Sequence, residues 1–365
     1  MSRLAHQHRA INLAQGFPDF PAPEEIKRAA ADAIAANINQ YAITWGARPL
    51  RAAIAAKYAH WYALEFDPET EITVCCGATE GMIAAMMAVL DPGDEVVLFE
   101  PFYENYGPDA ELCGALPRFV PLRTPDWEFD RDELRRAFTS RTKAIILNSP
   151  NNPTGKVFNR DELEFIAALC QEHDTLAITD EIYEHILFDG AEHVPIASLP
   201  GMRERSILVN SMSKTYAVTG WRVGWVMAPA GITGSIRKVH DFLTVGAAAP
   251  LQQAGIVALE LPDSYYAQLA ADYLSRRDYM MESVELAGFR PILPRGAYYV
   301  MTDTSGFGFK DDLCLVRHLI ETIGVATVPG SSFYSRPGGG SQQIRFCFCK
   351  KCETLEVARA RLLKL

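Results

Sequence analysis

From about residue 70 onward, short runs of apolar residues alternate with longer stretches in which small and apolar side chains recur at helical spacing. Ile72 to Cys76, Glu95 to Phe99, Leu116 to Val120, Lys143 to Asn148, Thr175 to Asp180, Ser206 to Asn210 and Val223 to Ala228 read as strands. Several of them are apolar throughout rather than alternating, which predicts strands covered on both faces. Between them, Thr79 to Leu90 and Arg160 to His173 read as helices, and Asp130 as the N-cap of a helix reaching about Phe138. Asp91-Pro92-Gly93-Asp94 is a stop and turn. Strands alternating with helices predict an α/β fold, a mostly parallel sheet flanked by helices. Ligands of such sheets bind beyond the carboxyl ends of the strands.

After Pro250 the pattern changes. Helical stretches run to about Ala287, followed by strand Tyr298 to Asp303, helix Asp311 to Ile323, strands Val325 to Val328 and Gln343 to Phe348, and a helix from Glu353. This predicts three parts: an extended, Pro-rich N-terminal segment (1–40) lying against a small domain, a large domain (41–260) and a small C-terminal α+β domain (261–365).

Composition narrows the function. The 365 residues are 48% hydrophobic and carry a net charge of −10, which argues against a nucleic-acid partner, since such binding rests on neutralising phosphates. The N-terminus lacks a signal-peptide pattern and apolar runs such as Met82 to Leu90 are too short to span a bilayer, so a cytoplasmic protein away from membranes is expected. Eight cysteines in so long a chain do not suggest a disulfide scaffold. Cys349 and Cys352 form a C-x-x-C, but Cys347 and Cys349 alternate with Phe346 and Phe348 as strand residues do. No second pair has metal-ligand spacing, so no metal is expected.

The chemically suggestive residues fall at strand ends. Lys214, in Ser211-Met212-Ser213-Lys214, follows a strand and is placed to condense with an aldehyde if enclosure keeps its amine partly neutral. Arg222 lies between Trp221 and Trp225 and suits a phosphate dianion, or else a structural ion pair. Gly77-Ala78-Thr79 opens a helix, where backbone N–H groups receive a phosphate, though many ordinary turns look alike. Asp180 ends a strand and suits either a protonated ring nitrogen or a helix cap, with Tyr183 three residues on. Asn152 sits in a Pro-Asn-Asn-Pro-Thr-Gly turn, Tyr103 offers a ring for stacking or for the core, and Arg345 is a charge inside an apolar strand that requires an anion, either a substrate carboxylate or the partner in a buried salt bridge.

Taken together, the order and spacing of these residues closely resemble class I/II aminotransferases of the pyridoxal-phosphate (PLP) fold type I, over nearly the whole chain. Asn12-Leu13-Ala14-Gln15-Gly16-Phe17-Pro18, Pro294-Arg295-Gly296-Ala297-Tyr298-Tyr299 and Pro329-Gly330-Ser331-Ser332-Phe333-Tyr334 look most like the kynurenine/methionine/glutamine-type branch. The resemblance implies that Lys214 bonds PLP and shuttles a proton, Asp180 pairs with the pyridine nitrogen, and Tyr183 and Asn152 bond the phenolic oxygen. It further implies that Ala78, Thr79, Ser211, Ser213 and Arg222 hold the phosphate, Tyr103 stacks on the ring, Arg345 grips the substrate carboxylate and Gly16 lies against the substrate. Tyr41 matches a tyrosine donated across a homodimer to the neighbouring phosphate. Ala14 stands where the family has glycine, and the segment before Asn12 is short.

The activity so implied is ping-pong transamination between an L-amino acid and a 2-oxo acid, with β-elimination from cysteine conjugates as the alternative on the same parts. Trp45, Tyr103, Phe17, Tyr298 and Phe333 suggest an aromatic or thioether pocket, and Arg48 and Arg295 are the arginines to weigh for a side-chain carboxylate. Other classes lack their marks: there is no G-x-G-x-x-G after the first strand, no G-x-S-x-G, and no room for a helix-turn-helix before residue 12.

Overall fold

The computed structural model describes residues 1–365. Its central sheet has seven strands in the spatial order Ile72–Cys75, Gly224–Met227, Ser206–Ser211, Leu176–Asp180, Thr142–Asn148, Glu95–Glu100 and Leu116–Pro121. All run parallel except Gly224–Met227, which is antiparallel to both neighbours. Cys75 and Ser211 both pair with Gly224, so the carboxyl ends of the parallel strands and the start of the antiparallel one share an edge.

The sheet is buried on both faces, as its apolar strands require. Val97, Phe99, Ile145 and Leu147 join a core that includes Leu163 and Ile166 of the helix Arg160–Glu172. Their sequence neighbours Val96, Leu98, Ala144 and Ile146 point the other way, onto Met82 and Met86 of the helix Ala78–Val89. Each buried Val, Leu, Ile, Phe or Met side chain contributes about 1.5–3 kcal/mol of burial energy.

A second, antiparallel sheet of four strands orders Val328–Pro329, Gln343–Cys347, Tyr299–Asp303 and Arg290–Ile292. The strand Ile11–Asn12 pairs in parallel with Val325–Ala326. Here the expectation of an extended N-terminal segment is corrected: residues Ser2–Gln7 and Glu24–Ala35 are helical. Prolines are confined to positions 18–23; beyond them Ile26, Ala30 and Ala33 recur at helical spacing and bury one face, with Pro23 leading in. That helix packs on Ala249–Leu259. Two further helices, Arg48–Tyr62 and Ala230–Thr244, had no clear sequence signal because proline and glycines interrupt their starts. No helix of the structure is long and apolar enough to cross a membrane.

Candidate active site

The shared strand edge opens into two joined cavities. The inner one, of ≈ 160 Å³, is lined by Ala78, Thr79, Tyr103, Asn152, Asp180, Tyr183, Ser211, Ser213, Lys214 and Arg222. The outer one, of ≈ 760 Å³, shares Tyr103, Asn152, Lys214 and Arg222 and adds Gly16 and Arg345. Every residue that the resemblance assigns to the cofactor or the substrate carboxylate is therefore brought together except Tyr41, which is 88% exposed and lines neither cavity.

Lys214 sits on the turn after strand Ser206–Ser211, its Nζ 3.1 Å from the Gly16 carbonyl oxygen. It donates there alongside the Tyr298 hydroxyl, which reaches the same oxygen at 2.7 Å. No carboxylate lies within ion-pair distance of it. Burial therefore pushes the ammonium down to about 8, against the weaker pull of Asp180. The amine is thus neutral part of the time near neutral pH, which condensation with an aldehyde requires.

Asp180 is buried without a cationic partner. Its Oδ2 accepts from the Tyr106 hydroxyl at 2.6 Å and its Oδ1 from the Ile182 N–H at 3.3 Å. Burial pushes this carboxyl up to about 6, and those hydrogen bonds limit the rise. It caps no helix, since the residues that follow form turns. The Tyr183 hydroxyl lies 3.1 Å from that of Tyr299.

Arg345 forms no salt bridge, which removes the ion-pair reading. Its Nη1 donates to Asn152 Oδ1 at 2.6 Å and its Nη2 to the Ala14 carbonyl at 2.9 Å. Its Nε is buried with no partner, and its guanidinium carbon lies 4.1 Å from the Tyr299 ring centre and 4.7 Å from that of Phe333. A buried guanidinium with a free N–H is built to receive an anion.

At the other end, Gly77 has φ +85°, and a Cβ there would stand 2.4 Å from Arg222 Nη2. Glycine thus lets the guanidinium close on the start of helix Ala78–Val89, whose N-terminus has no side-chain cap. Arg222 makes a hydrogen bond to the Thr219 carbonyl and no ion pair. Uncapped N–H groups, the Ser211 and Ser213 hydroxyls and a guanidinium without an ion pair are the donors that a phosphate group would require. Gly16 is equally constrained: a Cβ would fall 1.9 Å from the Tyr299 hydroxyl.

Some expectations are corrected. Phe17 and Tyr103 line the cavity, but Trp45, Tyr298 and Phe333 do not; Tyr299 takes the place expected of Tyr298. Adjacent residues entering a strand face opposite sides. Arg48 pairs with Glu69 and Arg295 with Asp189, both outside the cavities. All eight cysteines are free thiols. Sequence reasoning missed Tyr106 and Asn148; only a tertiary contact distinguishes them from core residues, and the alternation of Tyr298 and Tyr299 was the one available signal for Tyr299.

The donor set fits PLP. A buried carboxylate lacks a cation, an amine is held partly neutral, and a cluster of donors suited to a phosphate lies across the same cavity. Comparisons with known proteins agree. The family model "Aminotransferase class I and II" matches residues 8–362. Human kynurenine–oxoglutarate transaminase 1 is 38% identical over 395 residues, covering 99% of this chain and 94% of its own. The structure of N-succinyldiaminopimelate aminotransferase from Mycobacterium tuberculosis superposes with a TM-score of 0.97 at 40% identity, covering 100% of this chain and 95% of that one. YbdL from Escherichia coli, with a methionine aminotransferase function, gives 0.95 at 37% identity, covering 100% and 95%. The chain belongs to the class I and II aminotransferases, and is a PLP enzyme that transfers amino groups between amino acids and 2-oxo acids.

Proposed function

We propose that Lys214 is the catalytic residue, taking the proton from the donor's α-carbon on Nζ and returning it to the cofactor. The observation that carries this is an enclosed amine, depressed to about 8, in a cavity shared with an unpaired buried carboxylate. PLP supplies the electron sink for the charge left on the α-carbon. Asp180 would pair with its pyridine nitrogen and favour protonation there, while Tyr183 and Asn152 would hydrogen-bond the phenolic oxygen. Tyr103 covers the ring. Ala78, Thr79, Ser211, Ser213 and Arg222 hold the phosphate, and Arg345 grips the substrate α-carboxylate beside Gly16.

The donor reading is an aromatic amino acid, methionine, glutamine or kynurenine. Support comes from the lining: its only cationic side chains are Lys214, Arg222 and Arg345, which leaves none for a side-chain carboxylate. The names of the human and E. coli relatives point the same way. The active unit is a homodimer of a cytoplasmic protein, with Tyr41 reaching the neighbouring phosphate. Each subunit divides into the segment 1–40, a large domain 41–260 and a small domain 261–365.

The test is a visible spectrum of the purified protein titrated with a donor panel that includes aspartate and an N-succinylated diamino acid. Loss of the imine band on adding aromatic or thioether donors is expected, as is loss of that band and of turnover in Lys214→Ala. A preference for aspartate would overturn the donor reading, and full activity in the variant would overturn the catalytic one.

A further inference from the structure

Outside the catalytic cavities, one buried imidazole has acceptors at both ring nitrogens. His240, on the helix Ala230–Thr244, is fully buried. Its Nδ1 lies 3.0 and 3.1 Å from the two Glu80 carboxylate oxygens, and its Nε2 lies 2.9 Å from the Thr44 carbonyl oxygen. An ionised carboxylate and a carbonyl can only accept, and a neutral imidazole has a single N–H. Satisfying both sides therefore needs both ring protons. The Thr244 hydroxyl, 3.3 Å from Nδ1, also reaches the His240 carbonyl oxygen and supplies no substitute for Glu80.

The groups around this imidazole are few. Glu80 faces it from the helix Ala78–Val89, and the Cys75 sulfur lies within 4.8 Å of both, with Cys76 next along that strand end. Asp241 is on its own helix, while Arg237 is turned away toward the Trp45 ring and the Ile72 carbonyl. Burial pulls the imidazole down, but the hydrogen bond and charge of Glu80 outweigh it, and its pKa stands above the ordinary value.

The bridge joins two functionally separate pieces of chain. Glu80 also accepts from the Cys76 N–H at 2.9 Å, which fixes the turn leading into Gly77 and Ala78. Thr44 belongs to the segment that carries the exposed Tyr41. We propose that His240 is a positioning residue whose second proton ties the Tyr41 segment to the phosphate-binding turn, so that one protonation governs both ends of a phosphate site shared between subunits. The shared-site half rests on the homodimer reading above; the tie itself does not. Because the folded pKa is raised, the tie is complete below the unfolded value and is lost as pH rises through the folded one.

Hydrogen exchange of residues 41–46 and PLP affinity, measured on the holoenzyme from about pH 6 to about pH 10, test this. Glu80→Gln is the informative variant. A carboxamide N–H donates to neutral Nδ1 while its oxygen still accepts from Cys76, so the bridge no longer needs the second proton. Expressed relative to Glu80→Gln, which cancels the intrinsic pH dependence of exchange and of the lysine–cofactor bond, wild-type exchange in 41–46 should rise about tenfold across this range, the effect of one lost hydrogen bond. His240→Ala should exchange fast throughout. Parallel wild-type and Glu80→Gln profiles would overturn the proposal, even if His240→Ala fails to fold. Tyr41→Phe separates the two readings: it should keep the wild-type exchange profile and bind PLP more weakly at every pH. Unchanged PLP affinity in Tyr41→Phe, with the exchange profile as expected, would remove the shared site and leave the tie.

Discussion

At the residue scale, the site depends on holding two groups away from their ordinary ionisation. Asp180 must carry charge in a buried place, and the Tyr106 hydroxyl at 2.6 Å is the side-chain donor that offsets its burial. A hydrogen bond to a charged group is worth about 1.5–3 kcal/mol, and one pKa unit corresponds to about 1.4 kcal/mol. Tyr106→Phe should therefore raise the acid limb of the kcat/KM profile by about one pH unit; an unmoved limb would mean that Asp180 does not set it. Lys214 gives the opposite sign of linkage. Its folded pKa of about 8 lies below the ordinary lysine value of 10.5, so between these values the unfolded chain binds the extra proton and stability of the cofactor-free protein rises with pH. In urea titrations of cofactor-free protein, Lys214→Ala should lose this rise and be more stable than wild type near neutral pH by about 1–2 kcal/mol.

At the element scale, the strand Ser206–Ser211 is anchored from behind. Lys57, on the helix Arg48–Tyr62, forms a buried ion pair with Glu184. Glu184 also accepts from the Tyr62 hydroxyl at 2.5 Å and from Asn210 Nδ2 at 2.5 Å, and Asn210 Oδ1 in turn accepts the Ser211 N–H at 2.7 Å. Burial pushes the Glu184 carboxyl up, but Lys57 and the nearby histidines overcome it and hold it at about 2. Stability from this pair is present above the ordinary carboxyl value and is lost as pH falls toward 2. Lys57→Met leaves the carboxylate unpaired and should cost about 3–5 kcal/mol by chemical denaturation, with weaker PLP retention because Ser211 loses its support. A cost below about 1 kcal/mol would show that Glu184 is satisfied without Lys57.

At the scale of the whole molecule, one group of exposed apolar residues is clustered. Phe242 is 90% exposed, with Leu243 and Val245 beside it. His240 and Gly246 on the same stretch abut Thr44, whose neighbours Tyr41 and Ile43 are also exposed. A patch of this kind is commonly an interface, and the proposed homodimer would cover it. Phe242→Asp should shift sedimentation from dimer to monomer and release PLP on dilution; an unchanged dimer would place the interface elsewhere.

The chain alone determined the strands of the large sheet and the helices Ala78–Val89, Arg131–Ala137 and Arg160–Glu172 between them, because apolar runs and turn residues are local properties that no tertiary arrangement had to supply. It also pointed to the residues proposed for the chemistry, since Lys214, Arg222, Asp180 and Asn152 stand at or near strand ends and Arg345 is a charge inside an apolar strand. Only the tertiary structure decided what those groups face. Tyr106 beside Asp180, Tyr299 rather than Tyr298 at the cavity wall, and Asn152 under Arg345 are contacts between residues 74, 116 and 193 positions apart. The buried pairs Lys57–Glu184 and Glu80–His240 were equally hidden. A charge in sequence looks the same whether water or a second charge will surround it, and that difference is made only when distant segments pack and exclude solvent.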